Sequence, residues 1–182
     1  MKIRTLCFFF LLLPLAAGAD DWGALDSPTA IALMRHALAP GTGDPPNFQL
    51  GDCTTQRNLD RQGRDQARKV GERLRARGVT FDAVWTSQWC RCRETAALLN
   101  MGASEEVPAL NSFFADWSLR GAQTAEMMSR IAGTRDKRLL LVSHQVNINA
   151  LTGVAPRSGE IIVVEMRDGE RLEVTGRIMV DP

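Results

Sequence analysis

Arg138-Leu139-Leu140-Leu141-Val142-Ser143-His144 sets four large apolar residues in a row and closes them with a serine and one of the chain's two histidines. An apolar run without polar alternation marks a strand covered on both faces, which belongs inside a parallel sheet. Residues 29–35 repeat the pattern after Pro28. Ile31, Leu33 and Met34 form a second short buried strand, and His36 follows at once. Residues 81–86 give a third, ending at Thr86-Ser87.

Helical signals lie between these strands. Asp60 is placed as the N-cap of a helix running to Arg77, apolar along Ala67, Val70 and Leu74 and stopped by Gly78. A second helix is predicted over 89–99, an extended stretch near 107–110, a weaker helix over 123–132 and a short one over 146–151. Two last strands, 160–167 and 171–178, flank Asp168-Gly169, a hairpin signal. This order predicts an α/β three-layer sandwich: a mostly parallel central sheet, helices on both faces and an antiparallel edge hairpin. In such sheets the ligand crevice lies beyond the carboxyl ends of the strands.

The chain has 182 residues, 45% of them hydrophobic and 24% charged, enough for one core and one domain. Lys2 and Arg4, an apolar block over residues 6–15 and Ala17-Gly18-Ala19 follow the order of a cleavable export signal, with cleavage expected after Ala19. The apolar block is about ten residues long where a spanning helix needs roughly 20. The expected division is therefore a signal peptide over 1–19 and one domain over 20–182, periplasmic or secreted. Two basic residues and no acidic one lie before residue 20, so a chain starting there carries −1 instead of +1. That balance offers nucleic acid no basic face, and any anion site must be built locally from a few arginines.

Cys7 falls inside the signal, leaving Cys53, Cys90 and Cys92. In an oxidising compartment three thiols allow one bridge. Cys90 and Cys92, two positions apart at a helix start, do not face each other, so Cys53 is expected to pair with Cys90 or Cys92. A redox or metal site built from Cys53 and Cys90-Arg91-Cys92 is the competing reading, but Cys-x-Cys lacks the usual zinc spacing and has no second paired motif.

Each histidine immediately follows a central strand, in Met34-Arg35-His36-Ala37 and Val142-Ser143-His144-Gln145, and both should open into one crevice. Arg91, in the first turn after the third strand, can aim there too. Guanidinium forks hold phosphate oxygens in fixed geometry, an imidazole nitrogen can attack phosphorus, and adjacent arginines keep that imidazole neutral. Arg57, Arg64 and Arg93 are read as solvated or salt-bridged, and Phe113, Phe114 and Trp117 as packing residues. Residues 37–57 carry Pro40, Gly41, Gly43, Pro45, Pro46 and Gly51, and read as an irregular wall over the site.

Three motifs and a fourth element together resemble the histidine phosphatase superfamily, in its phosphoglycerate-mutase-like branch. Leu33-Met34-Arg35-His36-Ala37 is similar to that family's opening Arg-His-Gly, and Leu59-Asp60-Arg61-Gln62-Gly63-Arg64-Asp65-Gln66-Ala67 to its Leu-Thr-x-x-Gly-x-x-Gln-Ala helix. Residues 87–96 resemble its Ser-x-x-x-Arg-x-x-x-Thr-Ala turn, and Val142-Ser143-His144 supplies the fourth. The resemblance implies a phosphate-monoester hydrolase in which His36 becomes phosphohistidine while Arg35, Arg91 and His144 bind the phosphate. It implies no metal and no cofactor.

Three departures accompany it. Ala37 stands for the family's glycine, Asp60 for its threonine, and the glutamate that serves as general acid is absent from residues 110–117. Asp116 is the candidate for that role, with Glu160 as the alternative. Were the acid missing, the same pocket would bind phosphate or a phosphorylated ligand without turning it over. Export points the substrate expectation to phosphorylated sugars of the envelope, such as lipopolysaccharide core heptose.

Overall fold

A computed structural model describes residues 21–182, and the signal read over 1–19 lies outside the described residues. Six strands form one sheet in the order β3-β2-β4-β1-β5-β6. At its centre β1 (Ile31–Arg35) and β2 (Ala83–Thr86) flank β4 (Leu139–Ser143), all parallel. β5 (Ile161–Arg167) runs antiparallel to β1, and β6 (Arg171–Ile178) antiparallel to β5. Asp168 and Gly169, at φ 53° and 76°, make the hairpin turn that joins them.

The apolar run is buried because both faces of the sheet are covered. Every residue of β4 is buried. Leu140 and Val142, with Ala32 and Met34 of β1, pack on Val70 and Leu74 of α1 (Arg61–Ala76) and on Cys92, Ala96 and Leu99 of α2 (Cys90–Leu99). Leu139 and Leu141, with Ile31 and Leu33, face the other way. Their partners are Met127 and Ile131 of α3 (Arg120–Ala132) and Ile148 of α4 (Gln145–Thr152). The alternation of Cβ direction along a strand thus feeds two cores, one per layer.

Two expectations shift. The extended stretch placed at 107–110 is instead β3 (Ser104–Glu106), an exposed edge strand, followed by a 3-10 turn over Pro108–Leu110. Pro108 lacks an N–H and has a fixed φ, so pairing stops at the bond from Val107 N to Thr86 O, and Ala109 and Leu110 are buried by the turn. Charge on an edge strand also blunts further pairing. α3 begins at Arg120 rather than 123, and Met127 and Ile131 are its only buried residues, which explains its weak apolar period.

α1 is held close to the segment that follows His36. Asp60 caps it by accepting from Gly63 N at 2.7 Å. Gln66, fully buried, accepts from Leu38 N and donates to the carbonyls of Ser158 and Val180, tying three distant segments together. A Cβ on Gly63 would lie 1.9 Å from the Leu38 carbonyl oxygen, and one on Gly71 would lie 2.1 Å from that of Leu99.

The sign of a glycine-to-alanine change should therefore depend on the helix. In α1, Gly71→Ala forfeits about 1–3 kcal/mol of packing, outweighing a propensity gain of about 1 kcal/mol. In α3, Gly121→Ala meets no atom within 4 Å and is neutral or stabilising. Urea unfolding of the two variants reads the opposite signs; a stabilised Gly71→Ala would refute the close α1–α2 contact.

Candidate active site

The register of the central strands brings the reactive residues together. Arg35 pairs with Ser143 and Thr86 with Val142, and the ladder continues past the strand ends through His36 N to Ser143 O (2.9 Å) and Ser87 N to Val142 O (3.0 Å). His36 and His144 therefore emerge side by side, with ring centroids 5.5 Å apart. Arg91, on the first turn of α2, places NH2 3.5 Å from His144 Nδ1. All three are at least 97% buried.

Hydrogen bonding fixes the ring states. His36 Nδ1 lies 2.8 Å from the carbonyl oxygen of Ala37, which only accepts, so Nδ1 carries the proton and Nε2 the lone pair. Burial, then the charge of Arg91, and then those of Arg35 and Arg57, hold the His36 pKa well below its ordinary value, against the opposing Ala37 hydrogen bond. His144 is likewise held low by burial, Arg91, His36, Arg57 and Arg35. Its Nδ1 accepts from Arg91, so Nε2 donates to Ser87 Oγ at 2.9 Å, and Ser87 Oγ in turn donates to Asn111 Oδ1. That chain orients the second imidazole.

Arg35 donates through NH1 to the Pro156 carbonyl at 3.0 Å. The Nε atoms of Arg35 and Arg91 are buried without a partner, in keeping with guanidiniums held for an anion. Ala37, at the family's glycine position, is fully buried, and its N–H donates to Thr95 Oγ1. Thr95 also donates to the Arg91 carbonyl at 2.7 Å, linking the backbone after His36 to the turn that carries Arg91.

Residues 37–57 form the wall, and they contribute more than sequence reading assigned. Arg64 and Arg93 are paired at the surface with Glu94 and Glu106. Arg57 is only partly exposed and is bound to the wall's own backbone. It donates to the Ala39 and Gly43 carbonyls, and its charge bears on both histidines. Asp44 grips Arg91 at both tips, Oδ1 to NH1 at 2.6 Å and Oδ2 to NH2 at 3.1 Å. Trp89, edge-on to His144 and stacked on Phe48, donates its indole N–H to Asp44. Burial pushes the Asp44 carboxyl up, but hydrogen bonds and charge from Arg91, with Trp89 and Arg57, outweigh it and hold the group below its usual value.

A disulfide joins Cys53 in the wall to Cys90 at the start of α2. Those two sulfurs are spent on each other, which removes them as metal ligands. Cys92 is a free buried thiol 3.5 Å from His144 Nε2, its pKa pushed up to about 12, mainly by burial.

Each of the two carboxylates singled out in the sequence has a partner of its own. Asp116 is exposed and caps the turn after it by accepting from Ser118 N and Oγ, which holds its carboxyl below its ordinary value. Glu160 is buried and salt-bridged to Arg177 at 2.6 Å. Phe113 is core, as expected for packing. Trp117 packs edge-on against it while staying 58% exposed, and Phe114, 48% exposed, lies beside Gly43 of the wall.

Two histidines and two arginines converge past the central strands of a mostly parallel α/β sheet, a cluster whose guanidiniums suit an anion. Residues 31–119 match the histidine phosphatase superfamily (branch 1). A broad-specificity phosphatase of Saccharomyces cerevisiae is 44% identical over 52 residues, a stretch spanning 28% of this chain and 23% of that protein. The phosphoserine phosphatase of Entamoeba histolytica, solved with 3-phosphoglyceric acid, superposes with TM-score 0.62 at 13% identity, covering 83% of this chain and 97% of that one. The α-ribazole phosphatase of Shigella flexneri gives 0.58 at 18%, covering 84% and 100%. At such identities these two structures speak for the fold.

Two buried neutral imidazoles make stability depend on pH with a definite sign. Once unfolded, both rings bind protons near the ordinary value of about 6.5; folded, they do so only well below it. Below about pH 6.5 the unfolded chain holds more protons, so stability falls with falling pH, approaching about 1.4 kcal/mol per pH unit for each ring. Urea unfolding from pH 8 to 5 should show a plateau above pH 7 and a decline beneath it. A stability that rises on acidification would contradict the neutral assignment.

Proposed function

We propose that this chain is a metal-independent phosphoric monoester hydrolase that works through a phosphohistidine on His36. The observation that carries the reading is the His36 Nδ1 hydrogen bond to Ala37 O beside the buried guanidinium of Arg91 and the partly buried ones of Arg35 and Arg57. It leaves Nε2 with an unprotonated lone pair at neutral pH. Arg35, Arg91 and His144 hold the oxygens of the transferring group. Charge spreads over three equatorial oxygens in the transition state, so preorganised donors supply the main stabilisation and the step needs no metal. His144 Nδ1, an acceptor in the free site, becomes a donor to phosphate by taking a proton, which an adjacent phosphate dianion favours. Water then cleaves the N–P bond.

The protein acts in the periplasm or outside the cell, on this reading. The signal-like sequence before residue 20 supports that location, as does the Cys53–Cys90 disulfide, a bond that persists in oxidising compartments. Among the described residues no helix is long and apolar enough to cross a membrane. An envelope sugar phosphate, such as a lipopolysaccharide core heptose phosphate, is the substrate class such a location offers. The S. cerevisiae relative's broad specificity supports monoester hydrolysis in general rather than this substrate.

Purified protein should hydrolyse p-nitrophenyl phosphate at the same rate with and without EDTA. His36→Ala should fall to background, and Arg35→Ala should lose about 10²- to 10³-fold in kcat. Equal rates for wild type and His36→Ala would overturn the mechanism, and a rate abolished by EDTA would overturn its metal independence.

A further inference from the structure

The wall places one carboxylate against the phosphate-binding machinery, and it is neither of the two that sequence reasoning nominated. Asp44 takes both tips of the Arg91 guanidinium, the fork through which that side chain would otherwise hold two phosphate oxygens. It is also fixed by Trp89 Nε1 at 3.0 Å and Arg57 N at 3.2 Å. Its side chain is 17% exposed against 3% for Arg91, so of the two it is the one that solvent and an entering substrate can reach. Pro45 confines the residue before it to extended backbone. The Cys53–Cys90 bond ties the wall to the residue next to Arg91.

We propose that Asp44 is the general acid of the transfer, parked on Arg91 in the free enzyme and released to the leaving oxygen when phosphate takes the fork. The proposal rests on the phosphohistidine reading above. The charged groups around Asp44 are Arg91 on α2 and Arg57 in the wall, with Arg35 and the two neutral histidines beyond them. In the free state Arg91 and Arg57 keep the carboxyl ionised. A phosphate dianion neutralises Arg91 and adds negative charge beside Asp44, so the half-buried carboxylate takes a proton from solvent. His36 Nε2 then forms the N–P bond. The P–O bond breaks, its electron pair stays on the leaving oxygen, and that oxygen takes the Asp44 proton. In the second half Asp44 accepts a proton from the attacking water, whose oxygen bonds to phosphorus while His36 recovers its lone pair.

The test is dependence on the leaving group. Asp44→Asn keeps an oxygen for Arg91 but has no proton to give. Its kcat/KM should fall about 10²- to 10⁴-fold with an alkyl phosphate and less than about tenfold with 2,4-dinitrophenyl phosphate, whose leaving group needs no acid. Asp44→Glu should recover part of the alkyl rate, and Asp116→Asn should behave as wild type on both substrates. Thermal unfolding checks that each variant is folded. Equal losses on both substrates would make Asp44 a mere anchor of the wall, and faster turnover of both would make it a simple competitor for the fork; either result overturns the proposal. So would leaving-group selectivity that appears in Asp116→Asn instead. Full activity of His36→Ala would sink the underlying mechanism separately.

Discussion

A guanidinium taken out of water costs several kcal/mol unless an anion meets it, and Arg91 is almost wholly buried with two imidazoles for neighbours. That constraint organises the site. Arg91 is too buried to be hydrated, and its charge with burial disfavours charging of His36 and His144 in the ligand-free site, so some carboxylate or phosphate must sit on its fork. In the free enzyme the carboxylate is Asp44, brought down by residues 37–57. The wall and the anion pocket are thus one electrostatic unit. On the proposed mechanism a phosphate entering it exchanges one anion for another instead of filling empty space.

The sheet makes this arrangement affordable by fixing the backbone on which it is hung. β1, β4 and β2 are short, parallel and covered on both faces, the residues after β1 and β2 are each held by one more ladder bond, and His144 is tied to Ser87 through Nε2 and Oγ at 2.9 Å. His36, His144 and Ser87 therefore have little freedom to separate. Around them Thr95, Gln66 and Asn111 tie the backbone of the loops to α2, α1 and one another. These polar links are buried or nearly so, where an unmet partner would be costly.

Much of this was legible in the residues. The run over 139–142 announced a strand buried on both faces, and a histidine after each of two such strands placed both imidazoles at one rim. Asp60 as a cap and Asp168-Gly169 as a turn were also readable, since each depends on local chemistry alone. β3 was missed because Ser104-Glu105-Glu106 has neither apolar period nor β-branched residues; its strand conformation comes from pairing with β2. Arg57 and Asp44 were missed for a related reason. They lie in a glycine- and proline-rich segment without period, and their roles arise from tertiary contacts with Arg91 and the loop carbonyls. The available signal was an acidic residue locked before Pro45-Pro46 in a segment already read as covering an arginine pocket.

Attack of His36 Nε2 on phosphorus would leave a covalent intermediate that can be trapped. Protein mixed with a radiolabelled phosphate ester, quenched within milliseconds in alkali and mapped by peptide, should carry an alkali-stable, acid-labile phosphate on His36. Label on a serine, cysteine or aspartate, or hydrolysis that proceeds with no labelled protein at any quench time, would contradict it.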